Sequence, residues 1–302
     1  MNKSIACNKK GLSVWDKKMP ESDWRKLQTN QKGDGKPMGD SIKVEQHKEI
    51  DSIRTMIISN QDKRNALTPN ILNGISEFLE DPKIRENTRV MVIRGEGDKA
   101  FSAGYDISQI RATGGEDGTE ASGEILMRAI RNIKTFPAPF ISMIKGFCVG
   151  AGCHTAVSTD IRVAADDLKI GITPAKLGIV YHEEGIFDFF NLIGPSNTKE
   201  IFFTGKLYSA QEAREMGLVN HIVPTADLET FTYELAGQIA QNAPLALKGT
   251  KHIVNQWIEA VQLSPDVLEE ILTLRQQAFA SEDIKEGRQA FAEKRKPVFT
   301  GK

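Results

Sequence analysis

The chain has 302 residues, and its 39 Lys and Arg nearly balance its 40 Asp and Glu, which leaves a formal net charge of −1. A chain this close to neutrality has no broad basic field that would recruit nucleic acid or an anionic membrane. Its three cysteines are too few for a disulfide framework and favour a reducing compartment. No apolar run approaches the ~20 residues of a membrane span, and the N-terminus lacks the apolar core of a signal peptide. We therefore expect a cytoplasmic protein.

The first half of the chain predicts an alternation of strands and helices. Residues 1–46 are polar and are interpreted as an N-terminal extension. β-branched residues within 49–58 predict the first core strand. Thr68 and Pro69 are a typical N-cap and first helical residue, and the apolar residues that follow keep helical spacing as far as Leu79. Residues 90–93 predict a short buried strand.

The second half continues the pattern and then becomes helical. Residues 111–123 are rich in Gly, Thr and acidic residues and predict a loop, and 125–133 have helical spacing. Strands are predicted at 140–144 and 160–165, and helices follow from about residue 227. Short strands that alternate with helices predict an α/β fold with a helical C-terminal part. We expect a core at 47–226 and a helical oligomerisation region at 227–302.

Two glycine-rich turns each follow a predicted strand. The first covers residues 100–107 (AFSAGYDI), and the second covers 145–154 (KGFCVGAGCH) and leads into a helix near Ala151. Glycine permits close approach of the backbone, and the first N–H groups of a helix are unpaired and carry partial positive charge. Such a helix end can hold an anion or a developing oxyanion. A strand-to-helix turn without chemistry is the alternative for either stretch taken alone.

Taken in order, five segments resemble the crotonase (enoyl-CoA hydratase/isomerase) superfamily, and the resemblance covers the chain from about residue 50 onward. They are residues 62–67 (DKRNAL), 100–107 (AFSAGYDI), 150–153 (GAGC), 209–219 (SAQEAREMGLV) and 291–297 (FAEKRKP). The resemblance implies a crotonase-like spiral of ββα units that assembles as a trimer or a dimer of trimers. It also implies an acyl-CoA substrate, with coenzyme A as part of the thioester and no permanently bound cofactor.

The resemblance further assigns residues to the site. The backbone N–H groups of Tyr105 and Ala151 would hold the thioester oxygen, with Gly150 in the same turn. Contacts to the adenine and phosphates of CoA would come from two backbone segments. Their residues are Lys63, Arg64, Ala66, Leu67, Ala103, Gly104, Asp106 and Ile107. Lys63 and Arg64 are otherwise ordinary solvated charges of a turn.

The sequence departs from the hydratases of this superfamily, which use two glutamates to handle water and proton. His154 stands at the first glutamate position, and no carboxylate stands near Pro174, at the second. Imidazole can exchange protons near neutral pH, so His154 could replace the first group. Glu183 and Glu184 follow shortly after and could reach the same space. The alternatives are a histidine that only packs beside the pocket and a surface pair of acids.

Residues 173–181 (TPAKLGIVY) resemble the methylmalonyl-CoA decarboxylase branch of the superfamily, in which a tyrosine at the position of Tyr181 lies near the departing carboxylate. A tyrosine hydroxyl can donate the proton that such a reaction needs. That branch has a histidine at the position of Tyr105, which is a further departure. A core aromatic with a satisfied hydroxyl is the alternative for Tyr181.

Other classes of protein fit less well. The glycines near residue 150 do not form a dinucleotide-binding fingerprint, and Cys148, Cys153 and His154 lack zinc-site spacing. We therefore expect no metal. The expected function is hydration or isomerisation of an enoyl-CoA through a thioester enolate, with decarboxylation of a malonyl-type CoA as the alternative. A non-catalytic CoA-binding homologue is the second alternative.

Overall fold

The computed structural model describes residues 24–27, 40–106 and 116–302, with 24–27 and 116–122 described by their backbone alone. Within these ranges the chain forms eleven strands and ten helices. The strands are β1 (Trp24–Leu27), β2 (Ser41–His47), β3 (Ile53–Ser59), β4 (Val90–Gly95), β5 (Ala100–Ser102), β6 (Phe140–Ile144), β7 (Phe147–Val149), β8 (Ile161–Ala165), β9 (Lys169–Gly171), β10 (Tyr208–Ser209) and β11 (His221–Val223). The helices are α1 (Pro69–Glu80), α2 (Pro82–Asn87), α3 (Glu116–Lys134), α4 (Ala151–Val157), α5 (Glu183–Thr204), α6 (Ala210–Met216), α7 (Leu228–Ala240), α8 (Pro244–Glu259), α9 (Pro265–Ala280) and α10 (Glu282–Ala292).

The strands form two sheets. The larger has the order β1-β2-β3-β4-β6-β8-β11, and the smaller has the order β10-β9-β7-β5. From β3 onward the larger sheet is parallel, whereas β1 and β2 are antiparallel additions at one edge. In the smaller sheet, β5, β7 and β9 are parallel neighbours.

A ββα unit repeats along the chain. Strands β4, β6 and β8 enter the larger sheet, and the strand that follows each of them enters the smaller sheet. Helices α3, α4 and α5 then complete the three units. This arrangement confirms the predicted α/β class and the crotonase-like spiral with a helical C-terminal part.

Two apolar layers hold the larger sheet. Helix α1 buries its apolar stripe on one face, and its N-cap forms as predicted, because Thr68 Oγ1 accepts from the Ile71 N–H at 3.3 Å. Helix α7 covers the other face with Leu228, Tyr233 and Ala236. The larger sheet is thus buried on both faces.

The observed element boundaries differ from the predicted ones in two places. Strand β2 begins at Ser41, so the sheet includes part of the predicted extension 1–46. Helix α3 begins at Glu116, inside the predicted loop 111–123, and residues 111–115 lie outside the described ranges. Helix α7 packs on the larger sheet. The division at residues 46 and 226 stays a prediction.

Among the described residues, no helix combines the length and the apolar character that crossing a membrane requires.

Candidate active site

The two glycine turns lie against each other. Strands β5 and β7 are parallel neighbours, so their carboxyl ends meet at one edge of the smaller sheet. A Cβ built on Gly104 would lie 2.8 Å from the Val149 carbonyl oxygen and 3.4 Å from the Ala151 nitrogen. A Cβ on Gly152 would lie 2.6 Å from the Ser102 Cβ, so only glycine lets α4 approach β5 this closely. The sequence thus brings the start of α4 beside the turn after β5.

Two backbone N–H groups remain unpaired where the turns meet. Leu67 donates to the Gly104 carbonyl at 2.7 Å and accepts from the Asp106 N–H at 2.9 Å. This parallel bridge directs the N–H of Tyr105, between those residues, away from Leu67. Ala151 is the first residue of α4, whose opening N–H groups have no acceptor within the helix. Neither N–H has an acceptor among the described residues, so the pair can receive an oxyanion.

A cavity of about 180 Å³ opens in front of these two groups. Its wall is mainly apolar, and its polar side chains are those of Tyr105, Thr173, Tyr181, His182 and Arg275. The remaining lining residues are Ala103, Gly104, Gly123, Leu126, Met127, Gly150, Ala151, Pro174, Leu177, Ile179, Val180 and Phe279. None of the described lining residues carries a carboxylate.

Two of these polar side chains have an unpaired donor atom. Tyr105 Oη and Arg275 Nε are buried and have no hydrogen-bond partner in the described part of the chain. Buried polar atoms without partners are uncommon in folded proteins, and sites that receive a ligand are one place where they occur. The wall therefore offers hydrogen-bonding capacity that the protein itself leaves unused.

A hydrogen-bonded chain of four side chains begins at the cavity with Tyr181. Its Oη lies 3.1 Å from His154 Nδ1, and His154 Nε2 lies 3.0 Å from Asp188 Oδ2. Asp188 Oδ1 accepts from Lys134 Nζ. His154 has no exposed side-chain surface and does not line the cavity, so it lies behind Tyr181 as seen from the cavity. These hydrogen bonds join Tyr181, in the cavity wall, to an ion pair between α3 and α5.

The protonation states of Asp188 and Tyr181 follow from burial and from the groups beside them. Burial raises the pKa of Asp188, but the hydrogen bond from His154, the charge of His154 when it is protonated and the charge of Lys134 outweigh it and hold that pKa below its ordinary value. Burial, with smaller effects of Cys153 and Asp188, raises the pKa of Tyr181 well above the usual range. Asp188 is therefore a carboxylate and Tyr181 a neutral hydroxyl at neutral pH.

Glu183 and Glu184 open α5 and are held by arginines. Glu183 Oε2 lies 3.1 Å from Arg275 Nη1, and Glu184 accepts two hydrogen bonds from Arg131 at 2.6 and 2.9 Å. The hydrogen bond from Arg131 lowers the pKa of Glu184. Neither glutamate is among the residues that line the cavity. Their predicted role in proton transfer stays a prediction.

The proposed CoA-contacting segments run side by side. Ala103 donates to the Arg64 carbonyl at 2.9 Å, and Leu67 bonds to Gly104, so the turn at 62–67 is joined to the turn after β5. Lys63 Nζ lies 2.8 Å from Asp106 Oδ2, and the guanidinium of Arg64 lies over the ring of Phe147 at 5.3 Å. Ala66 and Leu67 are buried. Ile107 lies outside the described residues.

Sequence reasoning missed Asp188, Lys134, His182 and Arg275. Asp188 had a local signal, because it follows Glu184 by four residues, the spacing of one helix face. His182 directly precedes α5 and caps it, because its Nδ1 accepts a hydrogen bond from the Glu184 N–H at 3.3 Å. Arg275 and Lys134 come from distant helices, and only the tertiary fold brings them here.

Comparison with known proteins places the chain in a family. The profile of the enoyl-CoA hydratase/isomerase family matches residues 48–302. The methylmalonyl-CoA decarboxylase of Escherichia coli K12 is 35% identical over 240 residues, which cover 79% of this chain and 91% of that protein.

Two solved structures have the same fold. A methylmalonyl-CoA decarboxylase in complex with 2-nitronate-propionyl-CoA has a TM-score of 0.78 and 32% identity, covering 83% of this chain and 96% of that one. A methylmalonyl-CoA decarboxylase complexed with 2S-carboxypropyl-CoA has a TM-score of 0.77 and 33% identity, covering 83% and 95%. Together with the family profile, these matches show that the chain is an enzyme of the enoyl-CoA hydratase/isomerase family.

Proposed function

We propose that the protein decarboxylates a malonyl-type CoA thioester, with methylmalonyl-CoA as the first candidate. One observation carries the proposal: Tyr181 lines the cavity in front of the two N–H groups, and no described residue of its wall carries a carboxylate. A hydration that uses two glutamates would need those carboxylates in the wall. A decarboxylation needs neither of them.

The chemistry of decarboxylation suits such a wall. When the bond between C2 and the carboxylate breaks, CO₂ leaves and its electron pair becomes the enolate of the thioester. No base is required, and the charge collects on the thioester oxygen. The N–H groups of Tyr105 and Ala151 would stabilise that oxygen, and the loss of one such donor typically costs about 2.7–4 kcal/mol. Tyr181 would then donate the proton that C2 needs.

The relatives support the same reaction and the same class of substrate. The Escherichia coli relative is named a methylmalonyl-CoA decarboxylase, and the two solved decarboxylases hold acyl-CoA analogues that carry a nitronate or a carboxylate. The unpaired donors Tyr105 Oη and Arg275 Nε would suit an anionic acyl group of this kind.

Coenzyme A would extend from the cavity along the two joined turns. The backbone of Ala103, Gly104 and Asp106 faces the turn at 62–67, which brings Lys63 and Arg64 to the same surface. A hydrogen bond from Lys63 to Asp106 raises the pKa of the Lys63 ammonium, so this group stays charged and can attract phosphate.

Isomerisation of an enoyl-CoA is the second candidate, and His182 favours it. This imidazole lies in the cavity wall. Burial lowers its pKa, against the attraction of Glu183, so at neutral pH it is a neutral imidazole. Its Nδ1 accepts the Glu184 N–H, so Nε2 carries the ring proton and could donate it to an acyl chain.

Assembly as a trimer or hexamer belongs to the proposal, as does a cytoplasmic location. Helices α8 and α9 contain no buried residue, and α8 exposes 84% of Leu245 and 76% of Trp257. Apolar surface of this extent is typical of an interface. Light scattering at micromolar concentration tests this, and a monomer would contradict it. The location rests on the buried free thiols of Cys148 and Cys153, which suit a reducing compartment.

The reaction is tested by offering the purified protein crotonyl-CoA and methylmalonyl-CoA in parallel and following both by mass spectrometry. We expect loss of CO₂ from methylmalonyl-CoA and no addition of water to crotonyl-CoA. Water addition without loss of CO₂ would replace the proposal by hydration. A double-bond shift in a 3-enoyl-CoA, lost in His182→Gln, would favour isomerisation.

A further inference from the structure

We propose that His154 is a proton reservoir that becomes charged when an anionic acyl-CoA binds and then delivers its proton through Tyr181. The inference rests on the proposed decarboxylation for its substrate class. Its physical basis is the arrangement of His154, which is enclosed and has a partner on each ring nitrogen.

The protonation state of His154 decides where the hydroxyl proton of Tyr181 points. Because Asp188 is a carboxylate, Nε2 of His154 carries a proton and donates it to Asp188 in either state. In neutral His154, Nδ1 has only a lone pair and accepts the O–H of Tyr181. That proton then points away from the cavity. In protonated His154, Nδ1–H donates to the Tyr181 oxygen and leaves the hydroxyl proton free to point at a ligand.

Charge balance links the second state to an anionic ligand. Lys134 and Asp188 form an ion pair. While His154 is neutral, the four hydrogen-bonded side chains together therefore have no net charge. Protonation adds one buried positive charge, which is costly unless an opposite charge lies close by. Besides Asp188, Lys134 and Tyr181, the thiol of Cys153 lies on the same helix, and burial raises its pKa, so it stays neutral. The missing negative charge would be the acyl carboxylate beside Tyr181.

The proton balance of one turnover is complete with this reservoir. The bond from C2 to the carboxylate breaks, and CO₂ leaves the enolate behind. The Tyr181 hydroxyl proton passes to C2, and the Nδ1 proton of His154 passes to the Tyr181 oxygen. His154 ends neutral, with its Nε2 proton still donated to Asp188. After product release, one proton from solvent enters through Tyr181 as the next anionic substrate binds.

His182 is nearer to the ligand but fits this role poorly. Its Nδ1 accepts the Glu184 N–H and so caps α5. Protonation of that nitrogen would remove the cap. His154 loses no hydrogen bond on protonation, since the bond between Nδ1 and Tyr181 Oη only reverses its direction.

The test measures proton uptake during binding, by calorimetry in two buffers that differ in ionisation enthalpy. The probe is 2S-carboxypropyl-CoA, which carries a carboxylate but, as an alkyl thioether, has no thioester to lose CO₂. Propyl-CoA is its uncharged match. We expect the wild-type protein to take up about one proton per site with the first ligand and about none with the second. We expect His154→Gln to lose the uptake and His182→Gln to keep it.

The outcomes separate the reservoir from the proposed reaction. If 2S-carboxypropyl-CoA binds without proton uptake, or if His182→Gln abolishes the uptake, the reservoir is overturned while decarboxylation stands. If the carboxylate ligand does not bind at all, the proposed function fails together with the reservoir. The wild-type protein provides a second readout if His154→Gln does not fold. In a ¹⁵N-histidine spectrum, one imidazole other than His182 should shift to its protonated position with carboxypropyl-CoA alone, and the absence of that shift overturns the reservoir.

Discussion

Gly104→Ala should disable the oxyanion site while leaving the fold largely intact. The added Cβ would lie 2.8 Å from the Val149 carbonyl oxygen and 3.4 Å from the Ala151 nitrogen, so the two turns must move apart. Losing one donor of such a pair costs about 2.7–4 kcal/mol of transition-state stabilisation, or about 10²- to 10³-fold in kcat. The φ angle of +97° adds a folding cost of about 1–2 kcal/mol, because alanine is strained there.

Gly97→Ala is the matched control for backbone strain. Gly97 also has a positive φ, +74°, but its Cβ would meet only the end of the flexible Gln61 side chain, at 3.0 Å. Urea unfolding should show a loss of about 1–2 kcal/mol in this variant as well. Steady-state assays with the accepted acyl-CoA should show a normal kcat for Gly97→Ala alone. A kcat of Gly104→Ala within about threefold of wild type would refute the assignment of the N–H groups of Tyr105 and Ala151.

Three further results are expected. Tyr181→Phe removes the hydroxyl at the cavity and should lower kcat by about 10²-fold or more without changing the melting temperature by more than a few degrees; an unchanged kcat measured on the accepted substrate would exclude Tyr181 from the chemistry. Burial lowers the pKa of Arg162 to about 10, so its guanidinium stays charged at neutral pH and donates to backbone carbonyls at the end of α4. Arg162→Met leaves these carbonyls without a donor and should lower the free energy of unfolding in urea by about 2–4 kcal/mol. A decrease below about 0.5 kcal/mol would contradict this role of Arg162. The pKa of Asp188 is lower in the folded state than in the unfolded state, where it is about 4, so ionised Asp188 stabilises the fold at pH values above about 4. This stabilisation is lost as the pH falls through the folded-state pKa, so the stability advantage of wild type over Asp188→Asn should be full near pH 6 and shrink below about pH 4. A constant difference across that range would contradict this reasoning.

Helix α1 and helix α6 could be predicted because their signals are local. Thr68 and the apolar stripe after it define α1, and the capping box of Ser209 and Glu212 defines α6, which ends at Gly217 in the left-handed conformation. Each of these features depends on residues within one or two helical turns. The sequence contains them whatever the rest of the chain does.

Other elements depend on contacts that the sequence does not display locally. Strands β5, β7 and β9 have three residues each and exist because they pair with one another, so no period of alternation reveals them. Helix α5 was not predicted because Gly194 and Pro195 interrupt its pattern, and the chain bends there. Helix α3 starts earlier than predicted because its first turns contain glycine and threonine, which have low intrinsic helix propensity.

The candidate site divides in the same way. The resemblance assigned the N–H groups of Tyr105 and Ala151, and the pairing of β5 with β7 brings the two turns together. Of the residues that continue the hydrogen bonds from Tyr181, only some could be predicted from the sequence. The resemblance points to His154 by its position, but its role depends on Asp188 and Lys134. Asp188 lies 34 residues after His154, and Lys134 lies 54 residues before Asp188. Such partners are visible only in the folded chain.

Release of CO₂ from methylmalonyl-CoA in D₂O tests the central claim most directly. A decarboxylation through an enolate predicts one CO₂ for each propionyl-CoA formed, and a single deuterium at C2 of that product, because the proton donated by Tyr181 comes from solvent. Mass spectrometry of the acyl-CoA pool measures both quantities in one sample. Deuterium that enters C2 of the substrate without loss of CO₂ would mean that a base removes the C2 proton, and it would contradict the account, as would the absence of propionyl-CoA.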